Sequence, residues 1–186
     1  MRIVGGRFRG HALAAPKSRD IRPTSDRLRE SLFNILAHGL GDPVEGARVL
    51  DLFSGTGALG LEALSRGARF CLFVEEGAEA RGLIRTNVEA LGQTGTTKLW
   101  RRDATTLGGR APMEAFDLAF LDPPYGKGLA DRALAAMIAG DWMKPGATVV
   151  VEETAEVDLA VPPGYSLIDR REQGDSRLWL LRCGAQ

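Results

Sequence analysis

Few folds accommodate an apolar run that ends in an acid and then breaks into a turn of small residues. Val49-Leu50-Asp51-Leu52-Phe53-Ser54-Gly55-Thr56-Gly57-Ala58-Leu59-Gly60 is such a stretch. It reads as a strand, a loop and the first turn of a helix. Gly55 and Gly57 let the backbone pass close to a ligand, because no Cβ stands in the way. The free amides of the helix start face the same cleft. Gly55, Gly57 and Gly60 also fit the G-x-G-x-x-G spacing of dinucleotide sites. Asp51 discriminates between ligands, since a carboxylate there repels a pyrophosphate and attracts a cation. S-adenosylmethionine carries a sulfonium and an ammonium and no phosphate, so it suits this loop. The competing reading is a purely structural strand-to-helix turn with Asp51 capping the loop.

From this stretch onward strands and helices alternate. Strands are expected at 48–52, 70–74, about 97–101, 116–121 and 148–151, and helices at about 58–66, 78–91 and 129–139. Continuous apolar strands separated by helices mean an α/β fold with a parallel sheet covered on both faces. Two further strands, about 165–170 and 178–182, join through Gln173-Gly174-Asp175-Ser176, so one of them runs antiparallel. Residues 1–40 read as an N-terminal extension and 41–186 as the main domain. The extension begins with a hairpin of two short strands over residues 3–13. A helix follows from Pro23-Thr24-Ser25, capped by Thr24 or Ser25, with Leu28, Leu32, Ile35 and Leu36 as its apolar stripe.

Ligands of open α/β sheets bind outside the carboxyl ends of the strands. Here those ends carry Asp51, Glu75 with Glu76, Asp103 and Asp122. Glu75 lies twenty residues after Gly55, where a carboxylate accepts ribose hydroxyls; Glu76 competes for that role. Asp103 is placed to accept from an adenine amino group, and Ala104 to offer its amide to a ring nitrogen. Asp122-Pro123-Pro124-Tyr125 is the sharpest signal. Its prolines stiffen the turn and remove two amide donors, so the turn presents acceptors. Such a turn holds a planar amino group, and Tyr125 offers a face on which a flipped base stacks. The alternative is a proline-capped loop with a core tyrosine.

Charge is unevenly spread. Net charge is zero, yet residues 1–30 hold eight bases and three acids, a balance of +5. A basic end on an acidic body suits a polyanion surface. Two cysteines and two histidines argue against a disulfide framework and a zinc site. No apolar run reaches membrane-spanning length and no signal peptide is evident, so a cytoplasmic protein is expected.

Asp122-Pro123-Pro124-Tyr125 together with Asp51–Gly60 resembles the amino-group methyltransferases that use S-adenosylmethionine. Two N-terminal runs narrow the resemblance. They are Arg2-Ile3-Val4-Gly5-Gly6-Arg7-Phe8-Arg9-Gly10 and Arg22-Pro23-Thr24-Ser25-Asp26-Arg27-Leu28-Arg29-Glu30-Ser31-Leu32-Phe33-Asn34. Over nearly the whole chain it looks like the RsmD-type bacterial enzymes that methylate guanine N2 in 16S ribosomal RNA. One departure is Gln173, where the family often has an aromatic residue. The resemblance implies a Rossmann-like class I methyltransferase fold, with a seven-stranded, mostly parallel sheet. It implies that Asp51, the loop Phe53-Ser54-Gly55-Thr56-Gly57, Glu75, Asp103 and Ala104 hold S-adenosylmethionine. Asp122, Pro123, Pro124 and Tyr125 would hold the guanine, without a metal. The substrate would be 16S ribosomal RNA in a partly assembled small subunit, with Arg7, Arg9, Arg22 and Lys127 as phosphate contacts. The chain is expected to act as a monomer. Three rivals stand beside this reading: a methylase for DNA adenine or a protein amide, a nicotinamide-dependent oxidoreductase, and a non-catalytic RNA-binding assembly factor.

Overall fold

The computed structural model describes residues 1–19, 21 and 23–184. Its strands are β1 (Arg48–Leu52), β2 (Phe70–Val74), β3 (Thr97–Trp100), β4 (Phe116–Leu121), β5 (Met143–Thr154), β6 (Tyr165–Gln173) and β7 (Ser176–Cys183). They form one sheet in the order β3-β2-β1-β4-β5-β7-β6. The first five strands pair in parallel, and β7 runs antiparallel to β5 and β6. The chain reverses its direction of travel across the sheet between β1 and β4, which opens a crevice at their carboxyl ends.

Alternation along the strands sends successive side chains to opposite faces. Val49, Cys71, Phe73, Leu118 and Phe120 pack with α1 (Asp26–Gly39), α2 (Ala58–Ser65) and α3 (Ala78–Ala90). Leu50, Leu72, Val74, Ala119 and Leu121 pack with α4 (Leu129–Ala139) and Trp142. Both faces are therefore covered, as the unbroken apolar strands require. The fifth strand is longer than the 148–151 expected. Met143 pairs with Phe116 before an irregularity in the β4–β5 register, so Pro145 and Gly146 lie inside a strand that reads locally as a turn.

The N-terminal hairpin is reduced to a single bridge, Arg2 to Ala12, with turns between. Part of its backbone is bonded to α2 instead. The carboxylate of Glu62 accepts from the amides of Val4 and Gly5 at 2.9 and 3.0 Å, and the Ser65 carbonyl accepts from Arg7 at 2.9 Å. Ile3, Leu13, Leu32, Phe33 and Leu36 join the same apolar cluster as β1 and β2. Ser25 caps α1, its hydroxyl accepting from the Leu28 amide. One base counted toward the polyanion surface is structural: Arg29 is fully buried. Its guanidinium donates to the carbonyls of Thr24 and Arg2 and to Asp26, and lies 3.8 Å from Glu62.

Candidate active site

The carboxyl ends of β1, β2, β4 and β5 surround a cavity of ≈ 1070 Å³. Its floor is the loop after β1. Gly55 and Gly57 adopt φ of +57° and +80°, the left-handed region that glycine occupies without strain. Phe53 holds φ +56° without that freedom, which costs about 1–3 kcal/mol. Ser54 fixes the loop by donating to the Asp51 carbonyl at 2.6 Å and accepting from the Val74 amide at 3.1 Å. Gly60 serves packing, not ligand approach. A Cβ there would lie 2.5 Å from the Phe73 ring and 2.6 Å from the Cys71 sulfur.

Asp51 is buried, and its Oδ2 accepts from the Gly60 amide at 3.0 Å. Burial pushes its carboxyl well above the usual range, and the neighbouring Glu75 charge adds to that. Glu75 accepts from the amides of Gly55 and Gly77 at 2.9 and 2.8 Å, so it ties the loop to the end of β2. Glu76 is exposed on the same wall. Asp103 accepts from the Thr105 hydroxyl and amide at 2.6 and 2.8 Å, and these bonds hold its carboxyl below the usual range.

Asp122, Pro123, Pro124 and Tyr125 form another part of the wall. Burial raises the Asp122 carboxyl well above its ordinary value, and the charge of Glu152 raises it further. The Thr24 hydroxyl, donating at 2.8 Å, draws it partly back. Tyr125 is half-buried, and its phenol donates to Glu152 at 2.6 Å. Burial, and then that bond, push the phenol up.

The cavity thus brings together Asp51, Phe53, Ser54, Gly55, Thr56, Glu75, Asp103 and the Asp122–Tyr125 turn. Gly57 and Ala104 are buried outside its lining. Arg7, Arg9 and Lys127 are exposed and also outside it; Arg7 donates to Gln93 and stacks on Phe8. Arg22 lies outside the described residues. Sequence reasoning missed one wall altogether. Ser18, Ile21, Pro23, Thr24 and Arg27 come from the N-terminal extension. Glu79 accepts from the amides of Lys17 and Ser18, and holds this segment over the crevice. It also missed Arg132, Glu152 and the β6–β7 turn, Gln173 to Ser176.

Electrostatically the lining is acidic, with eight Asp and Glu side chains and two arginines. That set favours a cationic ligand and opposes a pyrophosphate. Among the described residues no group of three or more His, Cys, Asp or Glu could hold a metal ion, and no helix is long and apolar enough to cross a membrane.

Residues 1–182 match the family model described as Conserved hypothetical protein 95. The chain is 35% identical over 188 residues to Ribosomal RNA small subunit methyltransferase D of Escherichia coli K12, covering 100% of this chain and 91% of the relative. A solved Escherichia coli structure superimposes with TM-score 0.86 at 32% identity, covering 100% and 99% of the two chains. A ribosomal protein L11 methylase from Lactobacillus delbrueckii aligns with TM-score 0.63 at 14% identity over 92% and 91%, a likeness of fold alone.

Proposed function

The chain belongs to the family of ribosomal RNA small subunit methyltransferase D, and from that premise we propose that it methylates the exocyclic N2 of a guanine in 16S ribosomal RNA. The methyl donor is S-adenosylmethionine. The substrate is a partly assembled small subunit in the cytoplasm, met by a monomer. One observation carries the reading: a single acid-lined cavity joins the glycine loop to the Asp122-Pro123-Pro124-Tyr125 turn. It favours this reading over a nicotinamide oxidoreductase, whose cofactor would set a pyrophosphate among those carboxylates.

When bound, S-adenosylmethionine supplies an electrophilic methyl group, whose transfer to an amine leaves a neutral thioether and releases one proton. The residues fit such a donor. Glu75 stands at the end of β2 to accept ribose hydroxyls, and Asp103 keeps an oxygen beyond its Thr105 bonds for the adenine amine. Gly55 keeps the loop backbone open to the ligand, with Gly57 turning it into α2. On the acceptor side, guanine N2 is a poor nucleophile because its lone pair feeds the ring. Asp122 and the Pro123 carbonyl accept its hydrogens and favour a localised lone pair. The proton leaves to Asp122 or to water. Tyr125 stacks on the extruded base. Holding the two reactants in register supplies most of the acceleration.

RNA docking falls to the 1–40 extension, with Arg7 and Arg9 exposed on it and Lys127 beside the proline turn. Replacing Arg7 and Arg9 lowers RNA affinity and makes its salt dependence shallower by about one for each phosphate no longer neutralised. The test of function compares methyl incorporation into small-subunit particles, duplex DNA and protein side by side. Incorporation into the particles alone is expected; incorporation into duplex DNA or protein instead would move the activity to the rival methylase.

A further inference from the structure

The methyl-acceptor turn is held from behind by β5. Three oxygens meet there. Tyr125 Oη lies 2.6 Å from Glu152 Oε1 and 2.9 Å from Ser176 Oγ, and Ser176 Oγ lies 3.1 Å from the same Glu152 oxygen. Glu152 is 7% exposed and Ser176 5%. The next residue, Glu153, accepts from the Gly126 amide at 3.1 Å. Two successive glutamates therefore fasten the end of β5 to Tyr125 and Gly126, while Ser176 brings in the β6–β7 turn. Glu152 also faces Asp122 on the cavity wall. A buried carboxylate is costly unless hydroxyls or charges satisfy it, and this one takes two hydroxyl donors on one oxygen. An apolar residue would fill the same space without that cost, so packing alone does not account for it.

We infer that Glu152 is a positioning residue for the methyl acceptor: through the Tyr125 phenol it sets the angle of the stacking ring, and beside Asp122 it sets where the amine is held. This rests on the reading of the cavity as a guanine N2 methyltransferase site. The Tyr125 ring turns about two torsions, and its hydroxyl anchors it from the far end. Loss of that tether leaves the ring in place on average and spreads its orientation, which lowers kcat more than it changes affinity.

A double-mutant cycle on the full-length protein tests this, with small-subunit particles as substrate. Glu152→Ala and Tyr125→Phe are each expected to lower kcat about ten- to hundred-fold. KM for the particles should change less than threefold, and the affinity for S-adenosylmethionine measured by calorimetry should stay within threefold. The double variant should be slower than Glu152→Ala by no more than about threefold, because both changes cut the Tyr125–Glu152 bond and only the longer Tyr125–Ser176 bond is lost in addition. Ser176→Ala, a smaller change, should reproduce a weaker form of the same kcat loss and serves if Glu152→Ala does not fold. Wild-type kcat in Glu152→Ala, or losses that multiply in the double variant, would overturn the inference alone. Wild-type protein inert toward the particles would overturn the parent reading and the positioning role with it.

Discussion

Removing the guanidinium of Arg29 is a sharp test of how the N-terminal extension is joined to the methyltransferase fold. Arg29→Met keeps most of the stem and deletes the charge. In the native protein that group is fully buried and donates to Thr24 O at 3.0 Å, to Asp26 Oδ1 at 2.7 Å and to the Arg2 carbonyl. Its Nε lies 3.8 Å from Glu62 Oε1. The variant leaves two backbone carbonyls without that donor, at about 1–3 kcal/mol each. Glu62 keeps Arg66 and two amides but loses one cation. Deleting one member of a buried ion pair costs about 3–5 kcal/mol. These figures overlap, so the expected loss is about 3–5 kcal/mol out of a total stability of order 5–15 kcal/mol. At about 2–4 °C per kcal/mol for a domain of this size, the thermal midpoint falls by about 6–20 °C. Urea unfolding with calorimetry measures both quantities. A loss below about 1 kcal/mol would refute the reasoning, because it would mean that water or a neighbouring side chain serves those carbonyls equally well.

Other outcomes follow from single bonds around the cavity. Glu75→Ala removes the acceptor for the Gly55 and Gly77 amides as well as the proposed ribose ligand. S-adenosylmethionine affinity should drop about ten- to hundred-fold by calorimetry, and unchanged affinity would move the ribose role to Glu76. Thr24→Val deletes the hydroxyl that draws the Asp122 carboxyl down, so the acid limb of the kcat profile should move to higher pH. Superimposable profiles would separate Thr24 from the chemistry. Asp51→Asn tests the cost of a buried carboxyl. Burial raises the folded-state value above the ordinary 3.8, so the folded protein holds a proton there that the unfolded chain releases. Wild-type stability then decreases as pH rises from about 4 toward the raised value. Without cofactor, the thermal midpoint of Asp51→Asn should overtake that of wild type across this range; parallel curves would contradict it.

Much of the cavity was legible because its signals are local. Asp51, Glu75 and Asp122 each follow apolar residues directly, Asp103 follows the end of β3 after two arginines, and the parallel sheet brings those four ends to one edge. Thr24 was not legible as a partner of Asp122, because 98 residues separate them and nothing in Arg22-Pro23-Thr24-Ser25 distinguishes a helix cap from a reach across the crevice. The structure gives the cap to Ser25 and leaves Thr24 for Asp122. Glu152 was hidden for a different reason. Val149-Val150-Val151-Glu152-Glu153-Thr154 reads as a strand with a polar end, and its partners sit on β7 and in the proline turn. Arg29 reads as solvated because of its charge, although it stands three, four and seven residues before Leu32, Phe33 and Leu36 and so shares their buried face. Glu62 sits in the middle of α2, and its pairing with Val4, Gly5 and Arg66 buries that face instead.

The proposed reaction delivers a methyl group, inside one acid-lined cavity, to an amine held by Asp122. Its most direct test uses small-subunit particles from cells lacking this gene, S-adenosylmethionine with a labelled methyl group, and nucleoside mass spectrometry of the 16S RNA. Wild-type protein should place the label on N2 of a single guanosine. Asp122→Ala should place none while binding the donor within a few-fold of wild type. Label at another position or on another base, or undiminished labelling by Asp122→Ala, would contradict the account.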